Sequence, residues 1–371
     1  MDVPSHNPRV FKLVMIYIGL ALATTGCYTP LPKKNTQPVG DWNAPSAPTN
    51  HVPPPPLSNN VTRVTPPAPA PTRLTPATTW RSLSRWAADN GLQAPQRVAS
   101  VPVDSFALVS PRGVFALQAG STSAHWNGME LRLGFNPQPA HSTTDLVVHA
   151  LDLEKNLAPL LTGAWATTNS GRGLVIDPGH GGANFGTCSV AGGGCEKTFA
   201  LDWARRLAQL LTTNGWTVHL TRTNDVEVSL PARVELAEAL HADFFLSLHF
   251  NHSGGGTEQA GLETYCLTPT GMESTLTRGY EDNPREVLPN NAFDTENLRL
   301  AARVHRELLA VNGNRDRGIR RARFPGVLRG QNRPAVLIEG GFLSNEAEAR
   351  RIADPDYRQK LAEAVARALV Q

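Results

Sequence analysis

Past Thr162 the chain alternates short apolar runs with stretches whose apolar residues recur at helical spacing, which commits it to a sheet covered by helices on both faces. Leu174 to Ile176 reads as a first strand. Phe199, Trp203, Leu207 and Leu210 mark a helix opening at Glu196 and capped near Gly215; Trp216, Val218 and Leu220 then alternate as a second strand. Pro231 opens another helix through Ala242. Phe244 to Phe250, Leu262 to Leu267 and Ala335 to Ile338 read as strands, Leu298 to Val311 and Tyr357 to Val370 as helices. The expected fold is α/β, a mostly parallel twisted sheet with helices on both faces, forming one domain over residues 170–371.

A length of 371 residues with 40% apolar content leaves room for a second, smaller unit. Trp80, Leu83 and Trp86 have helical spacing, Phe106 to Val109, Gly113 to Leu117 and Glu130 to Leu133 resemble strands, and Leu151 to Leu161 reads as a helix. These predict a small accessory α+β domain over residues 80–165. Its His125, His141 and His149 lack ligand spacing and read as surface or core residues. Residues 28–79 are dense in Pro, including Pro53 to Pro56 in succession, and cannot bury enough apolar surface to offset their ordering entropy. They are expected to form a disordered tether. Before them, Arg9 and Lys12 precede an apolar run from Leu13 to Ala23 that ends in Thr24, Thr25, Gly26 and Cys27. The run is shorter than the ~20 residues a membrane span needs, so residues 1–27 read as an export signal. The net charge of +3, from 35 basic and 32 acidic residues, gives no concentrated basic stripe and argues against a nucleic-acid partner.

Four segments carry the chemistry: L-V-I-D-P-G-H-G-G with His180, G-C-E-K-T with Glu196, F-L-S-L-H-F-N with His249, and A-V-L-I-E-G-G-F with Glu339. Each ends a strand or opens a helix, where sites collect on α/β sheets. Two imidazoles and one carboxylate are the ligand set of a catalytic zinc that keeps a position open for water, and a further carboxylate serves as its base. Glycines let the chain turn sharply around His180. Asp177 reads equally as a partner fixing a histidine tautomer or as a cap of that turn. Glu196 taken alone reads as a helix-capping residue. His252 is a rival to His249 but lies past Asn251, off the strand end. Glu339, after V-L-I, is placed for partial desolvation and a raised pKa, which suits a general base. No Ser-His-Asp, Cys-His or phosphate-loop arrangement competes.

The order and wording of these segments resemble the zinc-dependent N-acetylmuramoyl-L-alanine amidases of the type-3 amidase family. The likeness runs from about Gly173 to the C-terminus, through S-L-P-A-R-V-E-L-A, G-L-E-T-Y, R-G-I-R-R-A-R-F and G-F-L-S-N-E-A-E. It implies a Zn2+ ion held by His180, Glu196 and His249, with Glu339 as the base. It also implies peptidoglycan, glycan strand and stem peptide, as substrate, with cleavage between N-acetylmuramic acid and L-alanine in wall remodelling or cell separation, and leaves any protein activator unknown. Arg323, in R-A-R-F, falls in a segment the family keeps near the site and is a possible substrate-binding residue. The alternatives are a zinc peptidase cutting another stem-peptide amide and a catalytically silent wall-binding or activator protein.

Cys188 and Cys195 bracket the Gly-rich loop before Glu196 and read as a disulfide or, alternatively, as thiolates joining the metal site; Cys266 reads as a buried free thiol. The stretch ending at Cys27 resembles a bacterial lipobox, which implies acylation of Cys27. With Tyr28 behind it, the expected location is periplasmic, at the outer membrane, held there by the lipid alone; the alternative is ordinary secretion. Residues 80–161 more distantly resemble the N-terminal-like domain of copper amine oxidases, without a copper site. The long polar segment Thr268 to Glu296 interrupts the strand–helix alternation and is expected to form a rim or lid on the cleft.

Overall fold

A computed structural model describes residues 79–99, 104–140, 145–163, 171–279, 281–312 and 315–370; the export signal, the tether, Cys27 and His141 lie outside them. The chain enters through β1 (Trp80–Ser82) into α1 (Leu83–Asp89), a helix that buries Leu83, Trp86 and Ala87. An antiparallel meander follows: β2 (Gln96–Ala99), β3 (Ser105–Ser110), β4 (Gly113–Gln118), β5 (Ser123–Trp126) and β6 (Met129–Arg132). Phe115 and Leu117 on β4, and Met129 and Leu131 on β6, point inward with the two-residue period of a strand. Two further strands, β7 (Gln138–Pro139) and β8 (Leu146–His149), join β1 in a separate small sheet. The expected helix at 151–161 is a composite of α2 (Ala150–Asp152), a π-helical turn (Leu153–Leu157) and α3 (Ala158–Leu161).

The C-terminal half alternates as its sequence pattern requires. It runs β9 (Gly173–Pro178), α4 (Glu196–Thr213), β10 (Thr217–Leu220), α5 (Leu230–Ala239), β11 (Phe244–Asn251), β12 (Leu262–Leu267) and α6 (Asp294–Asn312). It then continues through β13 (Asp316–Ala322), α7 (Gly326–Arg329), β14 (Ala335–Phe342), α8 (Glu346–Ala353) and α9 (Pro355–Val370). The strands lie in the order β10-β9-β11-β14-β12-β13, parallel except where β12 meets β14. Leu174, Ile176, Leu246 and Leu248 face one core with α4, α6 and α9, while Val175 and Phe245 face another with α5 and α7. Burial on both faces explains why these strands read as continuous apolar runs.

The small N-terminal unit extends this sheet. β6 pairs in parallel with β13 through Leu131 and Ile319, so that, among the described residues, one eleven-stranded sheet runs from β10 to β2. The joint is reinforced by polar bonds. Asp316 accepts from the Glu130 amide at 2.7 Å, and the buried Arg321 donates to the Lys155 carbonyl at 2.9 Å and to Asn156 at 3.2 Å. Arg299 of α6 donates to the Pro159 carbonyl at 2.8 Å. No helix among the described residues is long and apolar enough to cross a membrane.

Candidate active site

Three side chains converge where β9, β11 and α4 end or begin. The turn after β9 puts His180 in the left-handed region, at φ 61°, a conformation that costs a non-glycine residue strain and is kept only when its surroundings hold it. Two buried arginines do so. Arg233 donates to the His180 carbonyl at 2.9 Å and to that of Pro178 at 3.0 Å, and Arg222 donates to the Gly179 carbonyl at 2.7 Å. Gly179 has no substitute here, because a Cβ would sit 2.2 Å from the His249 ring.

Glu196 is the first residue of α4, and its carboxylate turns back across the site. One oxygen lies 2.9 Å from His249 Nδ1 and accepts the Phe250 amide at 3.0 Å; the other lies 3.1 Å from His180 Nε2 and accepts the Thr187 amide at 3.0 Å. The loop between His180 and Glu196 folds as a hairpin whose Cys188 and Cys195 are joined in a disulfide, leaving Cys266 as a buried free thiol. Gly186 packs so closely that a Cβ would lie 2.5 Å from the Glu196 carboxylate.

The second ring nitrogens are also engaged. His180 Nδ1 meets Asn184 Oδ1 at 2.8 Å, and His249 Nε2 meets Ser247 Oγ at 3.1 Å. Ser247 donates to Asp177 at 2.7 Å, and Asp177 also accepts from Thr221 and Arg233. Asp177 therefore combines both roles left open by the sequence: it holds the turn through Arg233 and steadies a histidine, but that histidine is His249 rather than His180.

Ligand atoms of His180, Glu196 and His249 all lie within 4.8 Å of one another. Zinc bonds of about 2 Å to nitrogen and oxygen would close that triangle with small side-chain movements, and the set is chemically apt, so the residues fit such an ion. Burial alone would raise the Glu196 pKa, but His180 and His249 outweigh it and hold the carboxyl well below the usual range. Burial pushes the His249 pKa down, favouring the neutral imidazole that binds metals.

Glu339 is 2% exposed and lies in register with His249 on the neighbouring strand β14. Burial pushes its pKa up to about 8, against the opposing charge of Arg278, and its Oε2 makes no hydrogen bond among the described residues.

Other predicted residues lie elsewhere. His252 is exposed on the loop after β11 and accepts the Gly254 amide at 2.8 Å. His149 is stacked on Phe135, with ring centroids 3.6 Å apart, and His125 pairs across β4 and β5. Arg323 does not face the cleft. It is fully buried and donates to Asp282 at 2.9 Å and to the Pro269 and Met272 carbonyls, which fastens the 268–288 loop; the segment expected to run to Glu296 ends there, because Pro289–Phe293 form a 3-10 turn and Asp294 opens α6. The arginine at the site is Arg278 from that loop, 3.7 Å from Glu339. An aperiodic polar segment offers no pattern that singles it out.

Donor chemistry of this kind suits a metal-dependent hydrolase. A family model for N-acetylmuramoyl-L-alanine amidase matches residues 174–371, and the chain belongs to that family. It is 34% identical over 200 residues to N-acetylmuramoyl-L-alanine amidase CwlM of Bacillus licheniformis, a match covering 53% of this chain and 67% of that protein. It is 32% identical over 195 residues to N-acetylmuramoyl-L-alanine amidase LytC of Bacillus subtilis (strain 168), covering 53% of this chain but only 34% of LytC. The solved catalytic domain of CwlV, an N-acetylmuramoyl-L-alanine amidase from Bacillus (Paenibacillus) polymyxa var. colistinus, matches at 30% identity over 53% of this chain and 95% of that one, with a TM-score of 0.44.

Proposed function

We propose that the protein is a zinc-dependent peptidoglycan hydrolase that cuts the amide between N-acetylmuramic acid and the L-alanine of the stem peptide, in wall remodelling or cell separation. The observation that carries this reading is the convergence of His180, Glu196 and His249 beside a buried Glu339, which lies in register with His249 on the neighbouring strand. Zinc, when bound by these three residues, supplies Lewis acidity toward water and the scissile carbonyl.

The chain's own groups divide the remaining work. Glu339, set beside the ligand cluster with its Oε2 unbonded, takes the proton from the attacking water and returns it to the departing amine. Ser247 and Asp177 hold the His249 ring, and Asn184 holds that of His180, so the ligands are oriented before substrate arrives. The apolar strands β9, β11 and β14 beneath keep the cluster in a low-dielectric setting, where its charges act strongly.

The same proposal places the enzyme outside the cytoplasm, as a periplasmic lipoprotein anchored at the outer membrane through Cys27 and carried on the proline-rich tether. Support comes from the export-like N-terminal sequence and from a substrate that lies in the wall. A Cys27→Ser protein that stayed membrane-associated with its mature N-terminus elsewhere would remove the anchor. Mass spectrometry of fragments released from purified peptidoglycan tests the activity: stem peptides with a free L-alanine amine are expected, and their loss on chelation. Cleavage at another amide would make the protein a peptidase.

A further inference from the structure

We propose that Arg278 is the residue with which this site grips a carboxylate on the peptide side of its substrate; the proposal rests on the hydrolase reading above and adds a specificity determinant to it. Arg278 stands on the 268–288 loop, which is tied down on both sides of it. Ser274 bonds Asp282 through its amide at 2.8 Å and its hydroxyl at 2.7 Å, Arg323 bonds the same Asp282, the Gly271 amide donates to the Pro284 carbonyl at 2.7 Å, and Met272 is buried. The tip so held carries Arg278 at φ 48°, a left-handed conformation uncommon for a side chain of its size. That strain is kept where it turns the side chain inward, toward Asn251 and Glu339.

The guanidinium lies 5.1 Å from the Phe324 ring centroid and 5.9 Å from that of Tyr265. It donates to Asn251 Oδ1 at 2.7 Å. Asn251 is itself fixed by Glu263, which also accepts from Tyr265 and from Arg317. An arginine laid on aromatic faces and held by Asn251 is pre-oriented, so little side-chain entropy is lost when it binds a planar anion.

Its placement decides what it would bind. Glu196 and Glu263 are buried and already engaged, the first by His180 and His249 and the second by Asn251, Tyr265 and Arg317. Arg222, Arg233 and Arg323 are buried at 4% exposure or less, whereas the Arg278 side chain keeps 18%. The 3.7 Å separation from Glu339 is longer than a hydrogen bond, so the pair attracts without closing. A peptide running from the scissile amide past Glu339 would bring the carboxylate of its second residue toward this cation, and a charge-assisted pair there fixes the amide over the base.

The test uses the zinc-loaded full chain and two N-acetylmuramyl dipeptides that differ only in whether the second residue carries a free carboxylate or its amide. Wild type should prefer the carboxylate substrate by about tenfold in kcat/KM, mostly through KM. In Arg278→Ala that preference should collapse, with zinc content and thermal unfolding retained, and Arg278→Lys should recover part of it. Equal loss on both substrates in kcat would show that Arg278 acts on Glu339 instead. A gain in turnover would make the loop a plug, and an unchanged preference would leave Arg278 without this role; each overturns the proposal. Wild type that cleaves both substrates equally defeats this inference alone, whereas wild type inert on both defeats the hydrolase reading and this inference together.

Discussion

If the proposed zinc site is right, Glu339 and the three candidate ligands His180, Glu196 and His249 sit within one cluster yet should fail differently. His180→Ala or His249→Ala removes one of three ligands and should abolish zinc retention, read by metal analysis after gel filtration. Glu339→Gln should keep the metal and lose about a hundredfold to ten-thousandfold in turnover, since it removes the base and no ligand. A Gln variant that lost its zinc would reverse the roles. The pH dependence follows from the same residue. Because burial raises Glu339 to about 8, the active carboxylate form is gained as pH rises, so turnover should climb along a limb that a bound cation pulls below that value. The metal-free fold holds this proton more tightly than the unfolded chain. Its stability should therefore fall as pH rises from about 4.5 toward about 8, and Glu339→Gln should flatten that slope in urea titrations.

At the scale of single elements, the hairpin from Phe185 to Glu196 and the 268–288 loop each hold one wall of the site. Breaking the hairpin's disulfide with Cys188→Ser and Cys195→Ser should cost about 2–3 kcal/mol and weaken zinc affinity by about tenfold or more, measured by competition with a chromophoric chelator. Unchanged affinity would mean that the hydrogen bonds of Thr187 and Phe250 suffice to place Glu196. Asp282→Ala leaves the fully buried Arg323 without its carboxylate and should destabilise the fold by about 3–5 kcal/mol in denaturant titration. How far such elements could be read in advance depended on what kind of residue they bury. β11 and β14 were legible because both faces are apolar, and His249 and Glu339 because each ends such a run; His180 was marked by the glycines of its turn, whereas Glu196 alone read as a helix cap and took its role from the family resemblance. β13 was not legible, since D-R-G-I-R-R-A mixes charge with just two apolar side chains, Ile319 and Ala322, and its Arg321 is buried through carbonyl and amide partners that no hydropathy pattern records. Arg278 was hidden for a related reason: its place is set by tertiary ties at Ser274, Asp282 and Arg323.

Over the whole molecule, the one-pair joint between β6 and β13, with the polar bonds of Asp316, Arg321 and Arg299, makes the small N-terminal unit part of the catalytic sheet. Calorimetry of the full chain should therefore show a single unfolding transition for the two parts. Two well-separated transitions would show that the joint carries little coupling. The small sheet of β1, β8 and β7 has a further consequence if the chain is held by its N-terminus while its substrate is held in a wall. Tension then enters at Trp80, and the first thing it meets is β1, joined to β8 by three residue pairs and lying outside the large sheet. A pull would peel those pairs one after another before any load reached β9 and His180, so β1 would act as a mechanical fuse that yields first and keeps the ligands aligned.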